Sequence, residues 1–270
     1  MFKRHPFATT VLLLGLAFLY LPMISLVVYS FNESRLVTVW GGFSSKWYSA
    51  LLDNKPLLSA AWLSIKIGAI NACLAVLLGT LAALALVRFS GRRGHKSLAI
   101  MSAAPLVIPE IMIGLSLLLL FVSMERLIGW PAGRGQLTIL LAHVTFSMAY
   151  VSVIVQSRLN HMDRSLEEAA LDLGARPVTV FFTITLPMIA PALAAGWLLA
   201  FTLSMDDLVV ASFVSGPGAT TLPMMIYSSV RLGVSPQINA LASIIILLVA
   251  LAVLITGLLL YRRQRQSPHP

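Results

Sequence analysis

Apolar residues fill long, nearly unbroken stretches of this chain, and polar residues collect in the short gaps between them. Six apolar runs stand out, at about 8–31, 59–87, 97–123, 137–157, 186–205 and 238–261. Crossing the hydrocarbon core of a bilayer takes about 20 helical residues. Each run therefore predicts one transmembrane helix, and the whole predicts an all-α membrane protein with six transmembrane helices. The first run follows Lys3 and Arg4 and resembles a secretory leader in position. It is too long for a leader's apolar core, and no small-x-small cleavage site follows it, so it is read as a retained helix.

Composition fits that picture. The 270 residues are 58% hydrophobic and 11% charged, against roughly 25% charged in a soluble domain. A single cysteine, Cys73, lies inside the second run. It allows no disulfide within the chain and makes no metal site by itself. The formal charge of +9 would suit nucleic acid, but its placement points elsewhere. Twelve Lys and Arg residues fall at one set of helix ends: Lys3, Arg4, Arg88, Arg92, Arg93, Lys96, Arg158, Arg164, Arg176, Arg262, Arg263 and Arg265. The alternate loops hold six, namely Arg35, Lys46, Lys55, Arg126, Arg134 and Arg231, and Lys66 lies within snorkelling reach of the outer end of its run. This asymmetry predicts both termini in the cytoplasm. It also predicts contact with anionic lipid headgroups and no nucleic-acid partner.

The polar gaps carry more specific signals. Segment 32–58 interleaves Trp40, Trp47 and Tyr48 with polar residues and predicts a short amphipathic helix near 44–52, either anchored at the interface or touching a soluble partner. The third run holds Pro105 and Pro109, and the fifth opens with Pro187 and Pro191. Such prolines bend membrane helices where neighbours or water satisfy the freed carbonyls. Glu110 lies about halfway along the third run, and Asp206 and Asp207 lie at the outer end of the fifth. A carboxylate at mid-bilayer costs at least ~2.5 kcal/mol on insertion scales, so it faces protein or water and commonly marks a pathway. The alternatives are pairing with a buried polar group for Glu110 and an interfacial position for the two aspartates. His143 has no companion histidine or cysteine nearby in sequence, which predicts a hydrogen-bonded packing role without a metal. Ser147 one turn away raises an intramembrane serine hydrolase, but no G-x-S-x-G elbow or placed acid supports it. Nucleotide-binding glycine loops are missing too, so no cofactor is expected on this chain, and any nucleotide-driven step needs another polypeptide.

The most informative gap is about 163–185. Ser165 and Glu168 have capping-box spacing, and Glu167 and Glu168 suit the positive end of a helix dipole. Leu166, Ala169, Ala170 and Leu173 form an apolar stripe. Gly174 can end that helix in the left-handed conformation, and Pro177 can begin the next. A lipid-anchored connector would be basic. Here Asp163, Glu167, Glu168 and Asp172 outnumber Arg164 and Arg176, which predicts a docking knob for a soluble partner.

At Glu168-Ala169-Ala170, Gly174, Ile184 and Leu186-Pro187 the spacing matches every fixed position of the EAA motif. On those residues the chain resembles the permeases of binding-protein-dependent ABC importers. Stretches such as "APLVIPEIMIGLSLLLLF" and "FTLSMDDLVVASFVSGPGATTLPMMIYSS" resemble the polyamine-importer permeases among them. The resemblance implies a type I importer permease fold forming a single domain over 1–270. It implies a non-catalytic subunit in the bacterial inner membrane. It implies a second permease subunit, a cytoplasmic ATPase dimer, a periplasmic substrate-binding protein and a polyamine substrate such as putrescine, with spermidine or another cation as alternatives. The ATPase contact carries over onto Glu168, Ala169, Ala170 and Gly174, and by helical proximity onto Glu167, Leu171 and Asp172. Candidate pathway residues for the cation are Glu110, Asp206, Asp207 and Tyr227. A channel or ion-driven carrier working without an ATPase is the rival from a different class.

Overall fold

The computed structural model describes residues 6–36, 39–89, 91, 93–232 and 235–266; at 6, 232, 252–253 and 255–266 the backbone alone is described. Lys3, Arg4 and Arg92, and the side chains of Arg262, Arg263 and Arg265, which enter the expected charge asymmetry, lie outside the described residues. The helices are α1 (Pro6–Tyr29), α2 (Lys46–Asp53), α3 (Lys55–Arg88), α4 (His95–Val107), α5 (Glu110–Ile128), α6 (Gln136–Asn160), α7 (Ser165–Asp172), α8 (Pro177–Val180), α9 (Leu186–Asp206), α10 (Val209–Val214), α11 (Leu222–Leu232) and α12 (Pro236–Gln266). A π-turn, Phe181–Thr185, joins α8 to α9 so that helix continues from Pro177 to Asp206. Among the described residues five helical stretches are long and apolar enough to cross a membrane: Phe7–Tyr29, Lys55–Arg88, Glu110–Ile128, Gln136–Asn160 and Pro177–Asp206. The stretch Pro236–Leu251 of α12 is apolar and shorter.

The chain divides into two compact units. The first, Met1–Leu58 with Ile226–Pro270, holds α1, α2 and α12. Here α12 packs on both α1 and α2, and Asn54 Nδ2 donates to Gln237 Oε1 at 2.6 Å. Buried Asn32 shapes the segment before α2. Its Oδ1 accepts from the Ser34 and Gly41 amides at 3.1 and 2.8 Å, and its Nδ2 donates to the Val39 carbonyl at 2.8 Å. Trp47 Nε1 donates to the Asn32 carbonyl at 2.6 Å, which places an aromatic ring of α2 against the loop.

The second unit, Ser59–Met225, is built around α6. One core joins Leu63 and Ile67 of α3, Phe121 of α5, Ile139, Ala142 and Phe146 of α6, and Val210, Ala211 and Val214 of α10. A second joins Ala72, Ala75 and Ala83 of α3 to Val151, Val155 and Leu159 of α6 and Ile189 and Ala200 of α9. Small residues dominate α3 in this second core because, in lipid, helices associate by close packing rather than by escape from water. Between α3 and α6 the approach is close at Gly79, where a Cβ would stand 2.8 Å from the Met148 carbonyl oxygen and 2.9 Å from Val151 Cβ.

The third apolar run is not one helix. Ile108 is extended, with φ −76° and ψ 131°, and Pro109 comes next with φ −57° and ψ 139°. The proline ring disfavours helical geometry in the residue before it, so α4 stops at Val107 and α5 restarts at Glu110. Glu110 therefore stands at a helix start, facing open space at a break, and not in the middle of a continuous span. The sequence pattern likewise holds no sign of α10 or α11. They occupy the stretch between the fifth and sixth runs, where Val210, Ala211, Val214 and Leu222 are buried.

Candidate functional site

Two places in the second unit gather the residues the sequence singles out. The first is the connector between α6 and α9. Its helix α7 does not begin with the expected capping box. Arg164 holds the N-cap position in helical conformation, with no side-chain cap. The start is set two residues earlier than the box, where Asp163 Oδ1 accepts the Ser165 amide at 2.9 Å. An aspartate carboxylate can satisfy an amide two residues on in this way, and doing so competes with a serine cap. The Ser165 backbone amide, and then its hydroxyl, hold the Asp163 carboxyl below its usual range.

The end of α7 matches the sequence closely. Gly174 has φ +84°. Its amide bonds to the Leu171 carbonyl at 2.9 Å, and the Ala175 amide bonds to the Ala170 carbonyl at 3.1 Å. This is the paired closure in which a left-handed glycine satisfies the last carbonyls of a helix. Arg176 is extended and Pro177 opens α8.

Side chains on α7 separate into two faces. Glu168, Ala169, Leu171 and Asp172 are exposed, with Leu166 and Leu173 beside them, and Leu173 reaches 89% exposure. Of the apolar stripe, Leu166, Ala169 and Leu173 face out, and Ala170 is half-buried. Glu167 alone on this helix is buried, at 9% exposure. Arg88 Nη2 at the end of α3 donates to Glu167 Oε1 at 2.5 Å. The hydroxyl of fully buried Thr185 donates to the same oxygen. Glu167 is therefore turned away from the surface that carries the rest of the motif. Arg88 and Thr185 carry no sequence signal of this role, since they lie 79 and 18 residues from their partner.

The second place is a cleft of about 440 Å³ at the break between α4 and α5. Glu110, Asp206 and Asp207 all line it, with Phe146, Tyr150 and Pro109. Three of the four candidate pathway residues thus meet in one cavity. The fourth, Tyr227, belongs to the first unit, where Arg231 lies over its ring with the guanidinium carbon 5.2 Å from the centroid.

The two aspartates have different surroundings. Asp206 is exposed. Asp207 is buried, and its carboxylate is fully engaged. Its Oδ2 lies 3.0 Å from His143 Nε2 and accepts the Ala211 amide at 2.7 Å, while Oδ1 accepts the Val210 amide at 3.1 Å. The other ring nitrogen, His143 Nδ1, lies 2.7 Å from Ser204 Oγ. This histidine bonds α6 to the end of α9 and, through Asp207, to the start of α10. The order Asp207, His143, Ser204 looks like a hydrolytic triad. Ser204 is buried at 4% exposure, however, so its hydroxyl has no room for a substrate carbonyl. Ser147, the serine one turn from His143, instead accepts from Asn71 Nδ2 at 3.1 Å. Nothing in the sequence pattern pairs Asp207 with His143, although Ser204 and Asp207 lie one turn apart and can meet a single residue of a facing helix.

Known proteins place this geometry in context. The family model described as the binding-protein-dependent transport system inner membrane component matches residues 75–266. The putrescine transport system permease protein PotI of Escherichia coli strain K12 is 59% identical over 263 residues, covering 97% of this chain and 94% of that protein. The spermidine/putrescine transport system permease protein PotC of the same strain is 45% identical, covering 90% and 89%. Among solved structures, a bacterial ABC transporter involved in the import of the acidic polysaccharide alginate has a chain of the same fold. It superposes with a TM-score of 0.71 at 18% identity over 96% of this chain and 94% of that one.

Proposed function

The chain belongs to the family of inner membrane components of binding-protein-dependent transport systems, and from that premise we propose that it is a permease subunit of an ATP-driven putrescine importer. The observation that carries the substrate is the 59% identity, over 97% of the chain, to a putrescine transport permease. The lower identity to a spermidine/putrescine permease makes spermidine the second reading. In this reading residues 1–270 work as one permease domain in the inner membrane, with both termini cytoplasmic. A second permease subunit, a cytoplasmic ATPase dimer and a periplasmic binding protein complete the machine.

The mechanism rests on charge. An isolated ammonium is far too costly in hydrocarbon to cross unaided, and putrescine carries two. Carboxylates and aromatic faces both attract ammonium groups. The cleft offers Glu110 and Asp206 as carboxylates without a partner ammonium or guanidinium among the described residues, with Phe146 and Tyr150 beside them. Asp207 shapes the same cleft but spends its oxygens on His143 and α10. Two exposed carboxylates hold a cation only weakly, which suits passage, and selection is left largely to the binding protein.

On the other side, exposed Glu168, Ala169, Leu171 and Asp172 of α7, with the Gly174 turn, form the surface that meets the ATPase. Nucleotide can shift the permease between states only through contacts that differ between them. The test is competition in vesicles holding the full complex. Unlabelled putrescine should suppress uptake of labelled putrescine at lower concentration than spermidine does. Spermidine winning that comparison would transfer the assignment to the second reading.

A further inference from the structure

Glu167 precedes the acidic residue of the matched motif and, unlike it, points to the buried face of α7. Its Oε1 receives Arg88 of α3 at 2.5 Å and the Thr185 hydroxyl. Arg88 Nη2 also lies 3.5 Å from Thr185 Oγ1, so the three side chains close a triangle. A second tie links this connector to α3, from Arg164 Nη2 to the Val87 carbonyl at 3.4 Å. Thr185 closes the π-turn at the head of the helix whose far end is Asp206. Single π-turns are often found at functional positions within helices. One carboxylate oxygen therefore links the connector helix both to α3 and to the helix that ends at the cleft.

We propose that Glu167 is a positioning residue: with Arg88 and Thr185 it forms a strut that makes α3 and α9 move with α7. The proposal rests on the reading that α7 docks an ATPase. Its physical argument is continuity. Energetic coupling between distant sites needs a connected set of rigid elements with alternative arrangements. Along the chain, α7 is joined to α8 by the Gly174 turn, a left-handed glycine with open space around its Cβ position. Such a turn can hinge. Charge-assisted bonds to an ionised oxygen are shorter and stronger than neutral ones, so the Glu167 junction resists the same motion. The groove beside it is lined by Arg88, Arg164, Glu168 and Leu171; Arg164 reaches α3 only through the Val87 carbonyl, whereas the strut also reaches Thr185 at the head of α9.

The test uses the complete complex in vesicles, with ATP hydrolysis and uptake of labelled putrescine measured on one preparation. The variants are Glu167→Gln, Thr185→Val and the conservative Thr185→Ser. Glu167→Gln and Thr185→Val should retain the ATPase subunit on purification and still hydrolyse ATP. Uptake per ATP hydrolysed should fall by about fivefold or more in Glu167→Gln and by less in Thr185→Val. Thr185→Ser, which keeps the hydroxyl, should match the unmodified complex. Unchanged uptake per ATP in both disruptive variants overturns the strut. So does a loss of uptake matched by an equal loss of bound ATPase, which would make the triangle mere structural cement. If Glu167→Gln does not assemble, Thr185→Val decides by the same ratio. An unmodified chain that retains no ATPase would overturn the docking reading beneath the proposal.

Discussion

Asp206 and Asp207 are chemically identical neighbours with opposite surroundings. Asp207 is held by two backbone amides and His143, all at 2.7–3.1 Å. Removing one member of a buried pair strands the other, which costs about 3 kcal/mol or more. His143→Ala should therefore lower the thermal midpoint of the purified protein in detergent by several degrees. A variant that melts with the parent would remove the pair from the account of stability. Asp206 faces the cleft, and its loss should be felt by the solute instead. Asp206→Asn should slow ATP-driven putrescine uptake about tenfold at saturating substrate, equivalent to ~1.4 kcal/mol on the barrier, while the complex assembles normally. Unchanged uptake kinetics would take Asp206 out of the pathway. Glu167 and Glu168 repeat the contrast on α7, where one carboxylate is buried against Arg88 and the other is exposed. The difference in role within such pairs was not legible in the sequence. Successive residues on a helix point about 100° apart, and which direction is inward depends on partners such as Arg88 or His143, far away in the chain.

At the scale of elements, local physics was readable wherever one residue dictates backbone shape. The Gly174 turn and the Pro177 start occur as their residue types require. The split of the third run at Pro109 was visible as a bend but not as a full restart of the helix, because the depth of a proline break depends on what packs around it. The capping box failed because Asp163 claimed the Ser165 amide first. Helices α10 and α11 went unseen because they are short and their apolar positions belong to no long run. Gly174 offers the cleanest test at this scale. Its Cβ position is open, so a substitution meets no clash and is opposed only by the positive φ. A residue with a Cβ pays roughly 1–2 kcal/mol in that conformation, and more when β-branched. Gly174→Val should leave the chain in the membrane yet weaken co-purification of the ATPase. A Gly174→Val chain that retains its ATPase and transports at the parental rate contradicts the role given to the turn.

For the whole molecule, the fold was legible mainly through run length and through one spaced motif. Long apolar stretches fix a helical membrane architecture, because only closed backbone hydrogen bonding survives in lipid. The motif at Glu168-Ala169-Ala170, Gly174 and Leu186-Pro187 identified the family to which the chain belongs. How the connector and the cleft are linked was not legible. That link runs through Glu167, Arg88 and Thr185 into the helix Pro177–Asp206, a three-body contact invisible in any one segment. The account as a whole holds that α7 carries motion from a separate ATPase to a passage lined by carboxylates. The most direct measurement is uptake of labelled putrescine into sealed vesicles containing either this chain alone or the chain with its second permease, ATPase and binding protein. The account predicts uptake only in the complete vesicles, and only with ATP. Uptake by the isolated chain, at a rate indifferent to ATP, would contradict it.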